Sequence, residues 1–223
     1  HLPGSSFVNP GTELREALST AAMDRAFANT GRTGQPVIRL ADIVSEKTLV
    51  NGIVGLLATG GSTNHTIHLI AMARAAGVLI DWDDFAELSA IIPLLARAYP
   101  NGKADVNHFQ AAGGMGVLMR DLLAAGLLHG DVTTVMGAGL AGYTQEPWLD
   151  NGALAWRPVP ATSADTAVLR PVSDPFSADG GLRLLQGLVL DLLRHDGAGH
   201  ESEHGKTGAG EEPLSDAHGF FLF

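Results

Sequence analysis

Cysteine is absent from this sequence of 223 residues. The chain therefore has no disulfide framework, no thiolate ligands for zinc, no thiol nucleophile and no ligands of its own for an iron–sulfur cluster. Basic residues are also scarce, because 14 Lys and Arg stand against 24 Asp and Glu and give a formal net charge of -10. This balance argues against a nucleic-acid partner, since binding a phosphate backbone needs a concentrated basic face. Recognition of a small phosphorylated ligand stays open, because backbone N–H groups can supply it.

Long hydrophobic runs are missing as well. Gly, Thr, His or Arg interrupts each apolar stretch before it reaches the ~20 residues that a transmembrane helix needs, so no membrane partner is predicted. The first residues, His1 to Ser6, have neither the basic nor the apolar region of a signal peptide. They also lack a starting Met. We therefore expect a fragment or a processed chain, located in the cytoplasm.

The composition is that of a folded protein with enough apolar material for a core. Hydrophobic residues make up 45% and charged residues 17% of the chain, which excludes an intrinsically disordered class. The length suits one large domain, or one and a half ordinary ones. Apolar periodicity and turn residues predict alternating helices and strands, so we expect a helix-rich α/β architecture.

Turn residues and apolar spacing also place individual elements. Thr12 and Asp81 are suited to be the N-caps of two helices. The helix that follows Asp81 should end near Ala90, because Pro93 cannot lie in the helix interior. The predicted helices cover about 12–29, 63–76, 82–90, 105–112 and 116–125, with a further helical region of uncertain type over 41–54. Two short strands are predicted at 78–80 and 131–136.

The stretch Thr59-Gly60-Gly61-Ser62-Thr63-Asn64 has the composition of a ligand-binding loop. Its glycines allow the backbone to approach a ligand, and the helix that follows presents unpaired N–H groups to an anion. The side chains of Ser62, Thr63 and Asn64 add hydrogen-bonding groups for a carboxylate, a phosphate or a polyol. A tight turn followed by a helix cap is the alternative interpretation. The loop is not a Walker motif, because the Gly-Lys-Ser/Thr ending is missing.

Several histidines and aspartates are candidates for chemistry. His65 and His68 lie three residues apart on one helix face, which permits a metal pair or a proton relay, but we expect packed, hydrogen-bonded histidines. His108 contacts a substrate if its helix end faces the Gly-rich loop, and otherwise is a surface or packing histidine. We expect helix capping from Asp81, Asp83 and Asp84, and a solvated tail around the later histidines, at positions 195, 200, 204 and 218.

Five segments follow one another in the order Pro3 to Pro10, Gly60 to Asn64, Pro100 to Gly102, Val106 to Gly114 and Tyr143 to Leu149. Together they resemble one enzyme family, the dihydroxy-acid dehydratase and phosphogluconate dehydratase family. In that family a Gly-Gly-Ser-Thr-Asn turn opens a helix, as at Gly60 to Asn64 here. His65 in place of an expected Ala favours the branch that acts on 6-phosphogluconate. The resemblance covers residues 1 to about 187.

The resemblance implies a hydro-lyase reaction. Such enzymes remove water from 6-phospho-D-gluconate to give 2-dehydro-3-deoxy-6-phosphogluconate in the Entner–Doudoroff pathway. A 4Fe-4S cluster acts on the leaving hydroxyl, Mg²⁺ holds the carboxylate end, and a serine-type base removes the α-proton. The resemblance also implies that the full-length enzyme is a homodimer. Polarisation of the leaving hydroxyl by a cluster iron is chemically sensible, because hydroxide is a poor leaving group.

This chain departs from the family pattern in three ways. It has no cluster cysteines, no Asp-Lys motif linked to Mg²⁺ and no Thr-Asp-Gly-Arg segment carrying the serine base. We therefore expect an internal fragment that is inactive alone, with no catalytic and no metal-binding residue of its own. By resemblance, 1–145 is the later part of a three-layer α/β sandwich domain, 146–187 a linker and the beginning of a β-rich C-terminal domain, and 188–223 a divergent, disordered tail. An incomplete domain should expose apolar surface.

The predicted substrate-binding residues are Ser62, Thr63, Asn64 and His65, with His108 as a further candidate. They are assigned to binding and positioning a phosphorylated sugar acid. Two other functions stay in competition with this one. The chain can belong to a dehydratase for another sugar acid or dihydroxy acid, or it can be a non-catalytic α/β module that binds a phosphorylated ligand through the turn at Gly60 to Asn64.

Overall fold

A computed structural model describes residues 1–185 and the backbone of residues 220–222. Seven α-helices and six short strands lie in this part of the chain, with a 3₁₀ turn at Ala141–Thr144. The helices are α1 (Glu13–Ala28), α2 (Leu40–Ile43), α3 (Glu46–Thr59), α4 (Asn64–Ala75), α5 (Trp82–Ser89), α6 (Val106–Ala112) and α7 (Gly114–Ala124). The strands are β1 (Thr133–Thr134), β2 (Gly137–Ala138), β3 (Gln145–Asp150), β4 (Ala153–Pro158), β5 (Arg183–Leu185) and β6 (Phe220–Leu222).

Short polar side chains begin the helices at the positions that the sequence predicts. Thr12 precedes α1, and its hydroxyl accepts a hydrogen bond from the backbone N–H of Arg15 at 3.2 Å. Asp81 precedes α5 and accepts from the N–H groups of Asp83 and Asp84, while the Asp84 carboxylate accepts from the N–H of Asp81. Such caps satisfy N–H groups that have no partner inside the helix. The predicted starts and the predicted end near Ala90 are confirmed.

The strands pair as three antiparallel, two-stranded sheets: β1 with β2, β3 with β4, and β5 with β6. The longest of them is the β3–β4 hairpin, whose register pairs Gln145 with Pro158 and Asp150 with Ala153. Its turn places Asn151 and Gly152 at positive φ, as a two-residue hairpin turn requires. With 41% of the described residues helical, the prediction of a partial, helix-rich α/β domain is confirmed.

The core is built around α3, whose apolar face is buried from Leu49 to Ala58. An extended segment from Ile92 to Ala96 crosses beneath it, and the N–H groups of Leu95 and Ala96 both donate to the carbonyl of Ala58. Each such fully buried leucine contributes ~1.5–3 kcal/mol by leaving water. The remaining core residues come from α5, α6, α7 and the later chain, and include Phe85, Phe109, Leu118, Leu122, Val168, Leu169 and Leu182.

Two predicted strands are corrected by the structure. Residues 78–80 form no strand, because the N–H of Val78 donates to the carbonyl of Ala73 and closes the end of α4, while Leu79 is exposed. The strand predicted over 131–136 is reduced to β1 at Thr133–Thr134, since the chain turns back at Val135 and Met136 and Thr134 pairs with Gly137. The uncertain helical region over 41–54 contains the end of α2 and most of α3.

The predicted division at residues 145 and 187 stays a prediction. Residues after 145 include the β3–β4 hairpin, but Val159, Val168, Leu169 and Leu182 also pack into the helical core. The tail predicted to be disordered, 188–223, lies outside the described residues except at β6, which is a strand. No helix in the described part of the chain is long and apolar enough to cross a membrane.

Candidate functional site

The turn between α3 and α4 is shaped by Gly60. This residue ends α3 in the left-handed region, at φ 58° and ψ 42°, and its N–H donates to carbonyls of the last helical turn. A Cβ at this position would collide with the side-chain amide of Asn101. Glycine is required for both reasons, since a side chain would be strained by its backbone and would also lack space. The chain therefore passes directly from the buried end of α3 to the start of α4.

The first residues of α4 present free polar side chains. Ser62 supports the turn, because its hydroxyl accepts from the N–H of Asn64 at 3.3 Å and its carbonyl accepts from the N–H of His65 at 3.0 Å. Thr63 is the N-cap residue but makes no side-chain cap bond. Among residues 1–185, the side chains of Thr63, Asn64 and His65 have no hydrogen-bond partner. A hydroxyl, an amide and an imidazole are thus available to a ligand at a helix N-terminus, which favours anions.

These side chains line a cavity of about 1130 Å³. The volume lies just above the ~300–1,000 Å³ that is usual for small-molecule pockets. Its walls come from α3, α4, α6 and α7 and from the stretches 96–100 and 132–135. Ser62, Thr63, Asn64 and His65 all lie on this wall. The structure thus brings together four of the five predicted site residues, and their contact with a substrate stays a prediction.

The polar part of the cavity wall consists of histidines and of hydroxyl and amide side chains. No Asp, Glu, Lys or Arg is among the described residues that line it. A ligand would therefore meet the neutral side chains of Ser62, Thr63 and Asn64 and the imidazoles of His65 and His68. Such donors can hold a carboxylate or a polyol, and in a partly apolar cavity they act more strongly than in water.

The expectation of packed, hydrogen-bonded histidines on α4 is wrong. Both His65 and His68 have exposed side chains and line the cavity. The buried face of α4 is formed instead by Thr66 and Ala73, and the hydroxyl of Thr66 donates to the carbonyl of Thr63 at 2.6 Å. Small residues let α4 pack closely on its neighbours, so the larger imidazoles point to the open side.

His108 lies away from the cavity. Its ring Nδ1 is 2.8 Å from the carboxylate of Asp105, the N-cap of α6, and 68% of its side chain is exposed. Hydrogen bonding by the backbone N–H of His108 lowers the pKa of Asp105 and is the largest cause of that shift. His108 therefore belongs to the cap of its own helix, as the alternative surface interpretation describes. Its neighbours Val106 and Phe109 face the cavity in its place.

Several polar residues on the cavity wall are missing from the predicted site, among them three from a later part of the chain. Thr133, Thr134 and Tyr143 lie about 70 to 80 positions after the Gly-rich turn, and only the fold brings them to it. The phenol of Tyr143 donates to the carbonyl of His1 at 2.9 Å, and burial raises the pKa of that phenol above 10.0. It is therefore a neutral donor. The segment that begins at Tyr143 is part of the family resemblance, and this was the signal in the sequence that could have pointed to Tyr143.

The metal groups implied by the resemblance do not fit the residues that the structure describes. No cysteine is present in the sequence, so the chain offers no thiolates to a cluster. Among the described residues, no group of three or more His, Cys, Asp or Glu side chains is placed to hold a metal ion. We therefore assign no ligand of an iron–sulfur cluster or of Mg²⁺ to this part of the chain.

Comparison with known proteins gives the family. The Dihydroxy-acid/6-phosphogluconate dehydratase N-terminal family matches residues 1–143. The chain belongs to this family. The matched range contains every residue that lines the cavity, from His1 to Tyr143.

Individual dehydratases are similar over most of the chain. The phosphogluconate dehydratases of Pseudomonas aeruginosa and Escherichia coli K12 are each 58% identical, over 187 and 186 residues. A dihydroxy-acid dehydratase from a Polaromonas strain is 40% identical over 153 residues, which is 67% of this chain and 25% of that enzyme. The first two matches cover 84% and 83% of this chain. The chain spans about 31% of the length of these phosphogluconate dehydratases.

Proposed function

We propose that this chain forms part of the substrate-binding region of a phosphogluconate dehydratase. The reaction of the whole enzyme is the loss of water from 6-phospho-D-gluconate, which gives 2-dehydro-3-deoxy-6-phosphogluconate. One observation carries the proposal: free side chains of Thr63, Asn64 and His65 line one cavity in a chain that is 58% identical to such enzymes. The higher identity to phosphogluconate dehydratases than to the dihydroxy-acid dehydratase, 40%, supports the phosphorylated substrate.

The roles proposed for this chain are binding and positioning. The side chains of Ser62, Thr63 and Asn64 hold oxygen atoms of the sugar acid, and His65 donates to or accepts from a hydroxyl. The dehydration itself needs the cluster, Mg²⁺ and base that the family resemblance implies. Since this chain has no cysteine, we expect it to bind substrate without turning it over. A homodimeric whole enzyme and a cytoplasmic location are part of the same proposal.

Calorimetric titration of the purified 223-residue chain tests this function. We expect saturable binding of 6-phosphogluconate, weaker binding of gluconate and of a short dihydroxy acid, and no formation of the dehydrated product. Equal affinity for a short dihydroxy acid would favour the related dehydratase branch. Binding of any phosphorylated sugar with equal affinity would favour a module that recognises phosphate alone. Measurable turnover would show that the expected inactivity is wrong.

A further inference from the structure

Two arginines share one aromatic ring outside the cavity. The guanidinium carbon of Arg97 lies 4.6 Å from the centre of the Phe176 ring, and that of Arg170 lies 4.4 Å from the same point. Both distances are within the range of cation–π attraction. Two like charges thereby lie around a single ring, in a chain whose net charge is -10. Such a placement is unfavourable unless an anion or the ring offsets the repulsion.

The three residues are positioned by the backbone. The N–H of Arg170 donates to the carbonyl of Leu95 at 2.8 Å, and the N–H of Phe176 donates to the carbonyl of Leu94 at 2.9 Å. The N–H of Arg97 donates in turn to the carbonyl of Val168 at 2.9 Å. Because Leu94 and Leu95 are buried, this frame is anchored in the core. The two cations are therefore placed by the fold and do not merely meet as mobile side chains.

Little negative charge neutralises the pair. Arg170 has one carboxylate nearby, that of Asp174 at 3.9 Å, and 77% of that side chain is exposed. Its Nε also donates to the carbonyl of Thr166 at 3.1 Å. Arg97 has an exposed side chain and no ion pair among the residues that the structure describes. Most of the guanidinium N–H groups of the pair are consequently free for an external acceptor.

Another arginine–aromatic pair shows the contrast. Arg157 lies 5.4 Å from the ring centre of Trp148, and its Nε donates to the carboxylate of Glu146 at 2.7 Å. There the charge is already paired within one hairpin. The same type of ring contact thus occurs with a neutralised cation at Trp148 and with two largely unneutralised cations at Phe176.

We propose that Arg97 and Arg170 form a binding site for a phosphate group, outside the cavity. Two planar guanidinium groups on one ring offer several N–H donors to the oxygens of a dianion, and arginine is suited to this geometry. Ala96 and Ala98 line the cavity, whereas Arg97 between them does not, because side chains alternate along an extended segment. The site is thus a second anion-binding position, additional to the start of α4.

NMR of the ¹⁵N-labelled 223-residue chain tests this site with inorganic phosphate as the probe. At low ionic strength we expect the Nε–H signals of Arg97 and Arg170 to shift together in one saturable titration, and chloride at matched ionic strength to leave them in place. Arg97→Gln and Arg170→Gln should each weaken phosphate binding about tenfold, since a charge-assisted pair is lost. Arg157→Gln is the matched control and should leave the affinity for phosphate unchanged.

Several results would overturn the site. The proposal fails if the Nε–H signals of the wild-type chain do not saturate with phosphate, or if Arg157→Gln weakens binding as much as Arg97→Gln. If Arg97→Gln does not fold, Arg97→Lys is used instead, because it keeps the positive charge but lacks the planar guanidinium group. Wild-type affinity for phosphate in Arg97→Lys would contradict the role of the guanidinium group. Asn64→Leu changes the cavity alone and should leave the phosphate titration of the Arg97 and Arg170 Nε–H signals unchanged. A failure of the arginine site and a failure of the proposed function can therefore be told apart.

Discussion

At the scale of single residues, Gly60 carries the tightest constraint near the cavity. Its positive φ and the close approach of Asn101 act at the same position. The side-chain amide nitrogen of Asn101 is buried and has no hydrogen-bond partner among the described residues. A buried donor without a partner costs free energy. The turn that leads to the predicted site thus depends on a contact with a segment about forty residues later.

The Gly60→Ala variant measures this constraint. We expect it to lower the free energy of unfolding by the strain of a left-handed alanine, about 1–2 kcal/mol, plus a further ~1–3 kcal/mol from the collision with Asn101. Gly77→Ala is the matched control, since Gly77 also has a positive φ, 77°, but no atom within 4 Å of its Cβ position. Urea unfolding gives both values. Equal losses in the two variants would show that the Asn101 contact contributes nothing.

A second residue-scale prediction concerns Asp42 at the start of α2. The hydrogen bond from the Arg39 side chain is the largest cause that lowers the pKa of Asp42 from 3.8 to about 2. Because the folded pKa is depressed, the stabilisation is present above pH 3.8 and is lost as the pH falls towards 2.

In Arg39→Gln, the midpoint of the Asp42 carboxyl titration should therefore rise towards 3.8, as measured by ¹³C NMR. Asp105 is the internal control, because the backbone N–H of His108 is the largest cause of its lowered pKa. The titration midpoint of Asp105 should be the same in Arg39→Gln as in the wild-type chain. An unchanged Asp42 midpoint would rule out Arg39 as the cause.

At the scale of elements, local rules predicted helices better than strands. The caps at Thr12 and Asp81 and the glycine turn after α3 depend on neighbouring residues, and all three are present. The strand predicted at 78–80 has suitable side chains but meets no partner strand, and pairing is a tertiary property. The exposed positions of His65 and His68 likewise depend on which face of α4 packs on the core. Residues such as Thr133 and Tyr143 join the site through distant contacts that periodicity does not contain.

One such distant contact fixes the far wall of the cavity. The side-chain amide of Asn51 in α3 donates to the carbonyl of His129 at 2.9 Å and accepts from the N–H of His129 at 2.8 Å. This paired contact holds the segment that continues to Thr133 and Thr134. The wall therefore depends on α3 for its position.

Asn51→Leu should loosen this segment. Both hydrogen bonds are lost, and since His129 is exposed, water replaces part of them, so we expect a loss of about 1–2 kcal/mol. Amide hydrogen exchange over residues 132–135 should accelerate. Asn51→Asp keeps the acceptor for the N–H of His129 and should give an intermediate effect. Unchanged exchange in both variants would show that the segment is held by other contacts.

At the scale of the whole molecule, the described residues form a cavity, and none of the Asp, Glu, Lys or Arg residues among them lines it. Large apolar side chains are also exposed, as the sequence predicted, among them Met23, Phe27, Ile67, Met72 and Leu79. The described residues thus combine a well-buried core around α3 with an open apolar cavity. The family match and the share of 31% of the relatives' length agree with a part of a larger dehydratase. The proposed activity belongs to that larger enzyme.

The central claim is that the start of α4 binds the sugar acid, and a pair of asparagine variants tests it most directly. Asn64 lines the cavity, whereas Asn107, the second residue of α6, is exposed and does not line it. In calorimetric titrations with 6-phosphogluconate, we expect Asn64→Leu to weaken binding about tenfold or more, because the substrate loses an amide partner. Asn107→Leu should bind like the wild-type chain. Equal affinity in Asn64→Leu and the wild-type chain would contradict the account.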